Sequence, residues 1–162
     1  MNSLTLKEKN LTEFTLIKEL TFSCVPNNKG CVIVLADKTL TGKSTSDIIY
    51  IGKSKKPAKR IFGGYLAGYG GKTNKKINAK LFNEGFLEKM LVSWLPTEDP
   101  KATQQELLEA YKKENGNYPA WNIRKNEKIQ SIPKQTLKQV KTKTKTKPAV
   151  KPESTTPPKT TE

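Results

Sequence analysis

The chain has 162 residues, which allows one ordinary domain plus a tail but not two full hydrophobic cores. Its 30 Lys and Arg outnumber its 15 Asp and Glu, so the formal net charge is +15. The absence of His and of a CxxC pair excludes Ser-His-Asp and Cys-His catalysis and leaves a zinc site short of ligands. No segment approaches the roughly 20 apolar residues of a membrane span, and we expect a reducing, cytoplasmic setting.

The excess of positive charge is typical of proteins that bind polyphosphates. Each phosphate that a Lys or Arg neutralises releases counterions, so affinity rises without any reading of base sequence. The alternative is a soluble basic protein without a specific partner. The charge therefore favours a nucleic acid, DNA or alternatively RNA, as the partner. No membrane association is expected, and the oligomeric state is left open.

The first half of the chain predicts a hairpin followed by helices. Residues 11–22 are expected to form a short helix with an extended lead-in. The apolar run over residues 30–37 (GCVIVLAD) and the β-branched run over 47–52 (DIIYIG) predict two strands. The polar, Gly-containing turn between them indicates that they pair antiparallel. A helix is then expected to begin at Pro57, and helical spacing over residues 73–82 predicts a second one after a Gly-rich segment.

The second half predicts one more strand and the clearest helix of the chain. Residues 87–95 alternate well enough to form the third strand. Asp99 suits a helix N-cap, Pro100 suits the first helical position, and Gly116 follows the last periodic residue as a stop. The element order β-β-α-α-β-α predicts a small α/β domain in which helices flank a central antiparallel three-stranded sheet.

The composition changes sharply near Ile132. After Val140 the only apolar residues are Ala149 and Val150, and the Lys/Thr/Pro-rich sequence cannot bury enough surface to offset its chain entropy. We therefore expect an N-terminal lead-in over residues 1–29, a folded domain over 30–123 and a basic, disordered, low-complexity tail over 124–162.

Two short segments look like phosphate-binding P-loops but do not complete the motif. The GKST that begins at Gly42 would need a glycine five residues earlier, where Asp37 stands. The GKT that begins at Gly71 would need one at Leu66. Neither fits GxxxxGK[ST], so nucleotide hydrolysis by a P-loop is excluded.

One set of candidate catalytic residues remains, spread in a fixed order along the chain. Tyr50-Ile51-Gly52-Lys53 lies on the predicted second strand, Arg60 follows it, Glu106 lies in the last helix, and Asn122 comes after it. In these residues the chain resembles the GIY-YIG nuclease superfamily over about residues 30–122. Tyr50-Ile51-Gly52 matches that family unchanged, whereas Gly30-Cys31-Val32 stands where Gly-Ile-Tyr is usual.

The resemblance implies a metal-dependent endonuclease that hydrolyses DNA phosphodiester bonds. Tyr50 would be the general base or would position the attacking water, and Lys53 nearby would favour its phenolate. Arg60 would hold two nonbridging phosphate oxygens. Glu106 would be the sole carboxylate ligand of Mg²⁺, or of another divalent cation such as Mn²⁺. Asn122 would orient Glu106 or contact the phosphate, although a capping role fits it almost equally well.

Val32 departs from the family because it offers no hydroxyl. Either Tyr65 or Tyr69 in the Gly-rich segment would supply one, or cleavage would be reduced, or the domain would bind without cutting. The glycines of this segment permit close approach to phosphates, and Tyr69 suits stacking on a base. Together with the lysines that follow, the candidate nucleic-acid contacts are Tyr65, Tyr69, Lys72, Lys75 and Lys76. The alternatives to a nuclease are a noncatalytic nucleic-acid-binding module on the same fold and a basic structural or adaptor protein.

Overall fold

The structure is a computed structural model, and it describes residues 1–7, 10–43 and 46–122. The tail predicted over 124–162 lies outside these residues. The elements in chain order are α1 (Ser3–Lys7), β1 (Thr15–Leu16), β2 (Cys31–Asp37), β3 (Ile48–Ser54), a π-helix (Lys59–Leu66), α2 (Lys72–Asn83), β4 (Met90–Pro96) and α3 (Pro100–Asn115). Short 3-10 turns lie at Ile17–Glu19, Phe22–Cys24 and Lys38–Leu40. Within the described part of the chain, no helix combines the length and the hydropathy that crossing a membrane requires.

The sheet has four strands in the order β1-β4-β2-β3, all antiparallel. The α/β architecture and the β2–β3 hairpin are confirmed, and the sheet has one strand more than the three expected. The extra strand, β1, falls where the sequence predicted a helix over 11–22, and that prediction was wrong. The backbone there pairs with β4, since the N–H of Thr12 donates to the carbonyl oxygen of Trp94 at 3.0 Å and Thr15 pairs with Val92. Hydrogen bonding to a neighbouring strand replaces the local bonds of a helix.

Strand β2 is buried along its whole length, which explains why its sequence is a continuous apolar run rather than an alternating one. Successive side chains point to opposite faces of the sheet. One face packs under the π-helix and α2 in a cluster that includes Cys31, Ile33, Leu35, Tyr50, Tyr65 and Ile77. The other face packs under α3 in a cluster that includes Val32, Val34, Ile51, Leu107, Leu108 and Tyr111. We call these the π-helix face and the α3 face.

The N-terminal residues pack into the same body as the rest of the domain. Leu6 and Leu11 are buried in the cluster on the α3 face, and Ile17 and Val25 in the cluster on the π-helix face. Residues 1–29, expected as a lead-in, thus contribute to both cores.

Helix α3 begins and ends where its sequence predicts. The carboxylate of Asp99 accepts hydrogen bonds from the N–H groups of Lys101 at 2.9 Å and Ala102 at 3.1 Å. Gly116 has a φ of 79°, and its N–H donates to the carbonyl oxygen of Lys112 at 2.8 Å. Both ends of the helix are therefore satisfied by local chemistry that can be seen in the sequence.

The helix expected from Pro57 is a π-helix over most of its length. The N–H of Ala67 donates to the carbonyl oxygen of Phe62, five residues back, at 3.0 Å. The wider turn brings residues five apart onto one side, where an α-helix brings together residues three and four apart. The larger number of residues per turn therefore determines which side chains of this helix lie next to each other.

Candidate nucleic-acid interface

Tyr50 lies across the backbone of Gly52. Both residues belong to β3 and point to the π-helix face, because side chains two apart in a strand share a face. A β-carbon built on Gly52 would lie 2.5 Å from Cε1 of Tyr50 and 2.8 Å from its hydroxyl oxygen. The tyrosine ring therefore occupies the space that any larger residue at position 52 would need.

Arg60 and Tyr65 meet on the same face. The Nε of Arg60 donates to the hydroxyl oxygen of Tyr65 at 3.4 Å, and its Cζ lies 5.6 Å from the centre of the Tyr65 ring. The rings of Tyr65 and Tyr50 are perpendicular, with centroids 6.2 Å apart. Two phenols and one guanidinium thus form a single group, which we call the Tyr–Arg cluster (Tyr50, Arg60 and Tyr65).

The environment of the cluster keeps Tyr65 neutral and Arg60 charged. Burial raises the pKa of the Tyr65 phenol well above its ordinary value, and neighbouring Tyr50 adds to that rise while Arg60 opposes it. Burial alone would lower the pKa of Arg60, but its contacts with Tyr65 and Tyr50 outweigh burial, so the pKa lies above its ordinary value. Arg60 therefore carries a permanent charge in a partly desolvated position.

A pocket of about 290 Å³ lies beside the cluster. Its walls come from the end of β3, the π-helix and the start of α2, and the lining residues are Ser54, Lys56, Lys59, Arg60, Gly63, Gly64, Tyr69, Gly70 and Asn74. Three of these nine residues are cations and none is an acid. We call this the Arg60 pocket, and its charge suits an anionic ligand.

The positive end of α2 adjoins the Arg60 pocket. Gly71 is the N-cap of this helix, and because it has no side chain it provides no capping hydrogen bond to the first N–H groups. Those N–H groups carry the positive end of the helix dipole, which favours an anion nearby.

The expected nucleic-acid contacts of the Gly-rich segment differ in their exposure. Tyr69 is 74% exposed at the rim of the pocket. Lys72, Lys75 and Lys76 are exposed on α2. Tyr65 is fully buried. Tyr69 and the three lysines are therefore accessible to nucleic acid. Tyr65 is not accessible and can influence binding only through the residues that it contacts.

Lys53 lies on the sheet face opposite Tyr50. It pairs in register with Val32, and its exposed side chain belongs to the α3 face. Its charge acts on Asp99, whose pKa lies below its usual range mainly because the N–H groups of Ala102 and Lys101 donate to it. The structure therefore associates Lys53 with the start of α3 and does not bring it to the Tyr–Arg cluster.

Glu106 is exposed on α3. This helix buries Leu107 and Leu108 against the α3 face. Glu106 and Gln104 are two residues apart, or about 200° around the helix, so they point in nearly opposite directions. Gln104 is the one turned toward the sheet, and its Nε2 donates to the carbonyl oxygen of Ile51 at 3.0 Å. The structure does not bring Glu106 to the Tyr–Arg cluster.

Asn122 closes the exposed edge of β3. Its Oδ1 accepts a hydrogen bond from the N–H of Ile51 at 3.0 Å, and its Nδ2 donates to the carbonyl oxygen of the same residue at 2.9 Å. The N–H of Trp121 donates to the carbonyl oxygen of Ile49 at 2.8 Å. Both functional groups of the Asn122 side chain are thus engaged with backbone.

The residues at the Arg60 pocket do not fit a bound Mg²⁺. This ion prefers oxygen ligands and usually takes at least one carboxylate, but no acid lines the pocket and Glu106 faces solvent from α3. Within residues 1–7, 10–43 and 46–122, no group of three or more His, Cys, Asp or Glu side chains is placed to hold a metal ion.

Two polar side chains that make specific contacts, Asn74 and Gln104, were not singled out in the sequence. Asn74 lines the Arg60 pocket from the first turn of α2, and Gln104 reaches the backbone of β3. Both are polar residues on the apolar face of a predicted helix. Asn74 lies one turn before Ile77, and Gln104 lies one turn before Leu107 and Leu108. Such a position usually implies a specific hydrogen-bond partner.

No protein-family model matches the chain, and searches of curated proteins and of solved structures gave no match. The family suggested by the sequence pattern therefore remains a resemblance.

Proposed function

We propose that the domain binds nucleic acid by holding a backbone phosphate in the Arg60 pocket. The observation that carries this proposal is the environment of Arg60, a half-buried guanidinium whose Nε bonds to the neutral phenol of Tyr65. Among the described residues, no carboxylate forms an ion pair with it. A partly desolvated cation without an anionic partner is costly, and a phosphate would supply that partner.

Three further features support the binding of a nucleic-acid phosphate. Lys56 and Lys59 add two cations at the pocket, and Gly63 provides backbone without a side chain, so that a ligand can approach closely. The net charge of +15 would draw a polyanion toward the domain. DNA is the first ligand to test, and RNA the second.

The proposal is tested by fluorescence anisotropy of a fluorescein-labelled oligonucleotide titrated with the full chain. Arg60→Ala is expected to weaken binding about tenfold, or about 1.4 kcal/mol, because it removes the best-held phosphate contact. Lys55→Ala is the matched control, since Lys55 is an exposed cation five positions away that does not line the pocket. Its loss should weaken binding less than about threefold, or about 0.65 kcal/mol. Equal losses in the two variants would mean that only overall charge matters and would overturn the proposal.

Arg60→Lys separates geometry from charge in the same assay. It retains the positive charge but loses the planar fork that holds two phosphate oxygens at once. Its affinity should fall between those of the wild type and of Arg60→Ala. Thermal melts of every variant establish that affinity is compared between folded proteins.

A metal-dependent endonuclease is the second candidate, favoured by the position of the Tyr50 phenol beside Tyr65 and Arg60, next to the Arg60 pocket. In this reading Glu106 is the residue that would hold Mg²⁺ or Mn²⁺. Its exposed position on α3 makes cleavage the less supported of the two functions. The distinguishing test is incubation of supercoiled plasmid with Mg²⁺ or Mn²⁺. Nicking that EDTA and Glu106→Gln both abolish would establish the nuclease, and binding without nicking would leave the noncatalytic module.

A further inference from the structure

The Arg60 pocket lies in a strongly positive part of the domain. Residues 53–76 carry eight cations and no Asp or Glu. The eight are Lys53, Lys55, Lys56, Lys59, Arg60, Lys72, Lys75 and Lys76. Among the described residues, none of them forms an ion pair, whereas Lys18, Lys80 and Lys89 each pair with an acid. The positive charge around the pocket is therefore available to a ligand.

The side chains that line the pocket are rich in hydrogen-bond donors. Arg60 presents a fork of N–H groups, and its contacts within the Tyr–Arg cluster occupy only part of that fork. Lys56 and Lys59 each add an ammonium group. The Oγ of Ser54 accepts a hydrogen bond from the N–H of Lys56 at 3.0 Å, and its own O–H remains available as a donor. The pocket therefore suits a ligand that carries several acceptors and more than one negative charge.

An internal phosphodiester would use only part of this charge and of these donors. It carries a single negative charge and two nonbridging oxygens, and its other oxygens link to the sugars on either side. A phosphomonoester at the end of a strand carries a charge of about −1.5 to −2 at pH 7 and three strong acceptor oxygens. Hydrogen bonds between charged partners are stronger than those between neutral ones, so each additional contact of this kind raises affinity. The end of a strand is therefore the better chemical match.

The shape of the pocket favours the same ligand. Its walls come from three elements, which are the end of β3, the π-helix and the start of α2. A terminal phosphate has a single ester bond, so its strand can leave through the open side, whereas an internal phosphate needs room for a strand on both sides. The positive end of α2 adds a favourable potential for the second negative charge.

We infer that the Arg60 pocket holds the phosphomonoester at the end of a nucleic-acid strand in preference to an internal phosphodiester. The inference rests on the proposed function and names the part of the nucleic acid that the pocket favours. A 5′-phosphate and a 3′-phosphate share this chemistry, and the experiment distinguishes between them.

Competition in fluorescence anisotropy tests the inference on the full chain. A labelled oligo-dT strand is displaced by short unlabelled oligo-dT strands that end in hydroxyl groups, in a 5′-phosphate, in a 3′-phosphate, or in the methyl ester of either phosphate. The wild type should bind one of the two phosphorylated strands at least about tenfold more tightly than the hydroxyl strand, or by about 1.4 kcal/mol. The methyl ester keeps the added phosphate but loses the second charge and the third free oxygen. It should therefore bind within about threefold of the hydroxyl strand, or about 0.65 kcal/mol.

The second charge of the ligand gives this preference a pH dependence. The preference for the phosphorylated strand should shrink to about threefold or less between about pH 7.5 and about pH 5.5, because a phosphomonoester gains its second proton with a pKa of about 6. A phosphodiester keeps its charge over this range, so the hydroxyl strand serves as the control. The ionisable side chains that line the pocket are Lys56, Lys59, Arg60 and Tyr69, with no His or carboxyl group among them. The change should therefore originate in the ligand.

Variants at the pocket locate the preference. Lys59→Ala should reduce it to about threefold, or about 0.65 kcal/mol, because it removes one of the three cations that line the pocket. Lys55→Ala is the matched control, an exposed lysine that does not line the pocket, and it should retain the preference of the wild type. Arg60→Ala should abolish the preference. Lys55 and Lys59 are both exposed, so their variants answer the question even if Arg60→Ala does not fold.

The outcomes separate this inference from the function on which it rests. Equal binding of all the strands by the wild type, each weakened by Arg60→Ala, would overturn the preference for strand ends and leave the phosphate site intact. A preference that the methyl ester retains, or that Lys59→Ala and Lys55→Ala reduce equally, would overturn the inference as well. Thymidine 5′-monophosphate that competes as strongly as the phosphorylated strand would overturn the strand end as the ligand. Failure to bind any strand would overturn the proposed function itself.

Discussion

The Nε of Arg60 donates a hydrogen bond to the hydroxyl of Tyr65, five residues later in a π-helix. In an α-helix these two positions would lie about 140° apart and would not touch. The π-helix brings them to one side and directs both at Tyr50 on the neighbouring strand. The cluster therefore depends on a local departure from helical geometry, and such departures occur often at functional sites.

Tyr65→Phe isolates the contribution of this hydrogen bond. The variant keeps the buried ring and removes the hydroxyl, so the free energy of unfolding should fall by about 1 kcal/mol. The Arg60 side chain loses its partner, and affinity for a labelled oligonucleotide should fall about 3- to 10-fold, or about 0.65–1.4 kcal/mol. Urea unfolding and anisotropy measure the two quantities.

Tyr118→Phe is the control for that experiment. It also removes a bonded phenol, one that donates to Glu109 at 2.7 Å, but it lies away from the Arg60 pocket. Its affinity should match that of the wild type. An equal loss of affinity in both variants would show that the Arg60–Tyr65 bond has no particular role in binding.

Gly52→Ala should displace the ring of Tyr50. The added methyl group would lie 2.5 Å from Cε1 of that ring, which is closer than any relaxed contact. Overpacking of this kind costs about 1–3 kcal/mol, and both the thermal midpoint and oligonucleotide affinity should fall.

Gly63→Ala is the matched variant for Gly52→Ala. A β-carbon there meets only Cγ of Lys59, at 4.0 Å, which is an ordinary contact. This change should leave stability unchanged or raise it, because alanine loses less backbone freedom than glycine on folding. Equal destabilisation by the two substitutions would contradict the packing of Tyr50 over Gly52.

Asn122→Ala should loosen the edge of β3. The N–H of Ile51 would lose the acceptor that it has at 3.0 Å, which should cost about 1–3 kcal/mol if no water replaces it. Hydrogen exchange at the Ile51 amide should become faster while the amides in the central strand β2 stay protected. Asn117→Ala, at an exposed position after α3, should change neither quantity.

Asp99 makes stability depend on pH in the acid range. Its pKa is lowered by the N–H groups of Ala102 and Lys101, so its contribution is fully present above the unfolded pKa of about 4 and is lost as pH falls through the lower folded value. Asp99→Asn caps the helix but does not titrate in this range. The stability difference between wild type and Asp99→Asn should therefore shrink between pH 6 and pH 2. Urea unfolding at several pH values measures it, with Glu98→Gln as an exposed neighbouring control.

Much of the fold follows from patterns within short stretches of sequence. The apolar run of β2, the Asp99-Pro100 start of α3 and its Gly116 end depend on local chemistry, and each was predicted close to its observed position. The two-residue strand β1 was not, because its hydrogen bonds go to β4, which lies far along the chain. A pairing between distant segments leaves little local periodicity to detect.

The candidate site was harder to predict because a motif fixes spacing along the chain and leaves the direction of side chains open. Tyr50 and Arg60 do meet on one face of the sheet. Lys53 and Glu106 fit the same spacing pattern, yet strand alternation turns Lys53 to the α3 face and helical rotation turns Glu106 to solvent. The contact of Arg60 with Tyr65 was missed for a related reason, since a helix of ordinary period would separate them.

The hydrogen bonds from the Trp121 N–H and the Asn122 side chain to the backbone of β3 also affect whether copies of this chain can pair with one another. An unpaired strand edge invites a strand from a second molecule, which is a common start of aggregation. Here Ile49 and Ile51 already have partners on that side, and the opposite border of the sheet is only the two residues of β1. Within the described sheet, neither border offers a long free row of hydrogen-bonding groups, so these strands are poorly suited to pairing with strands of further molecules.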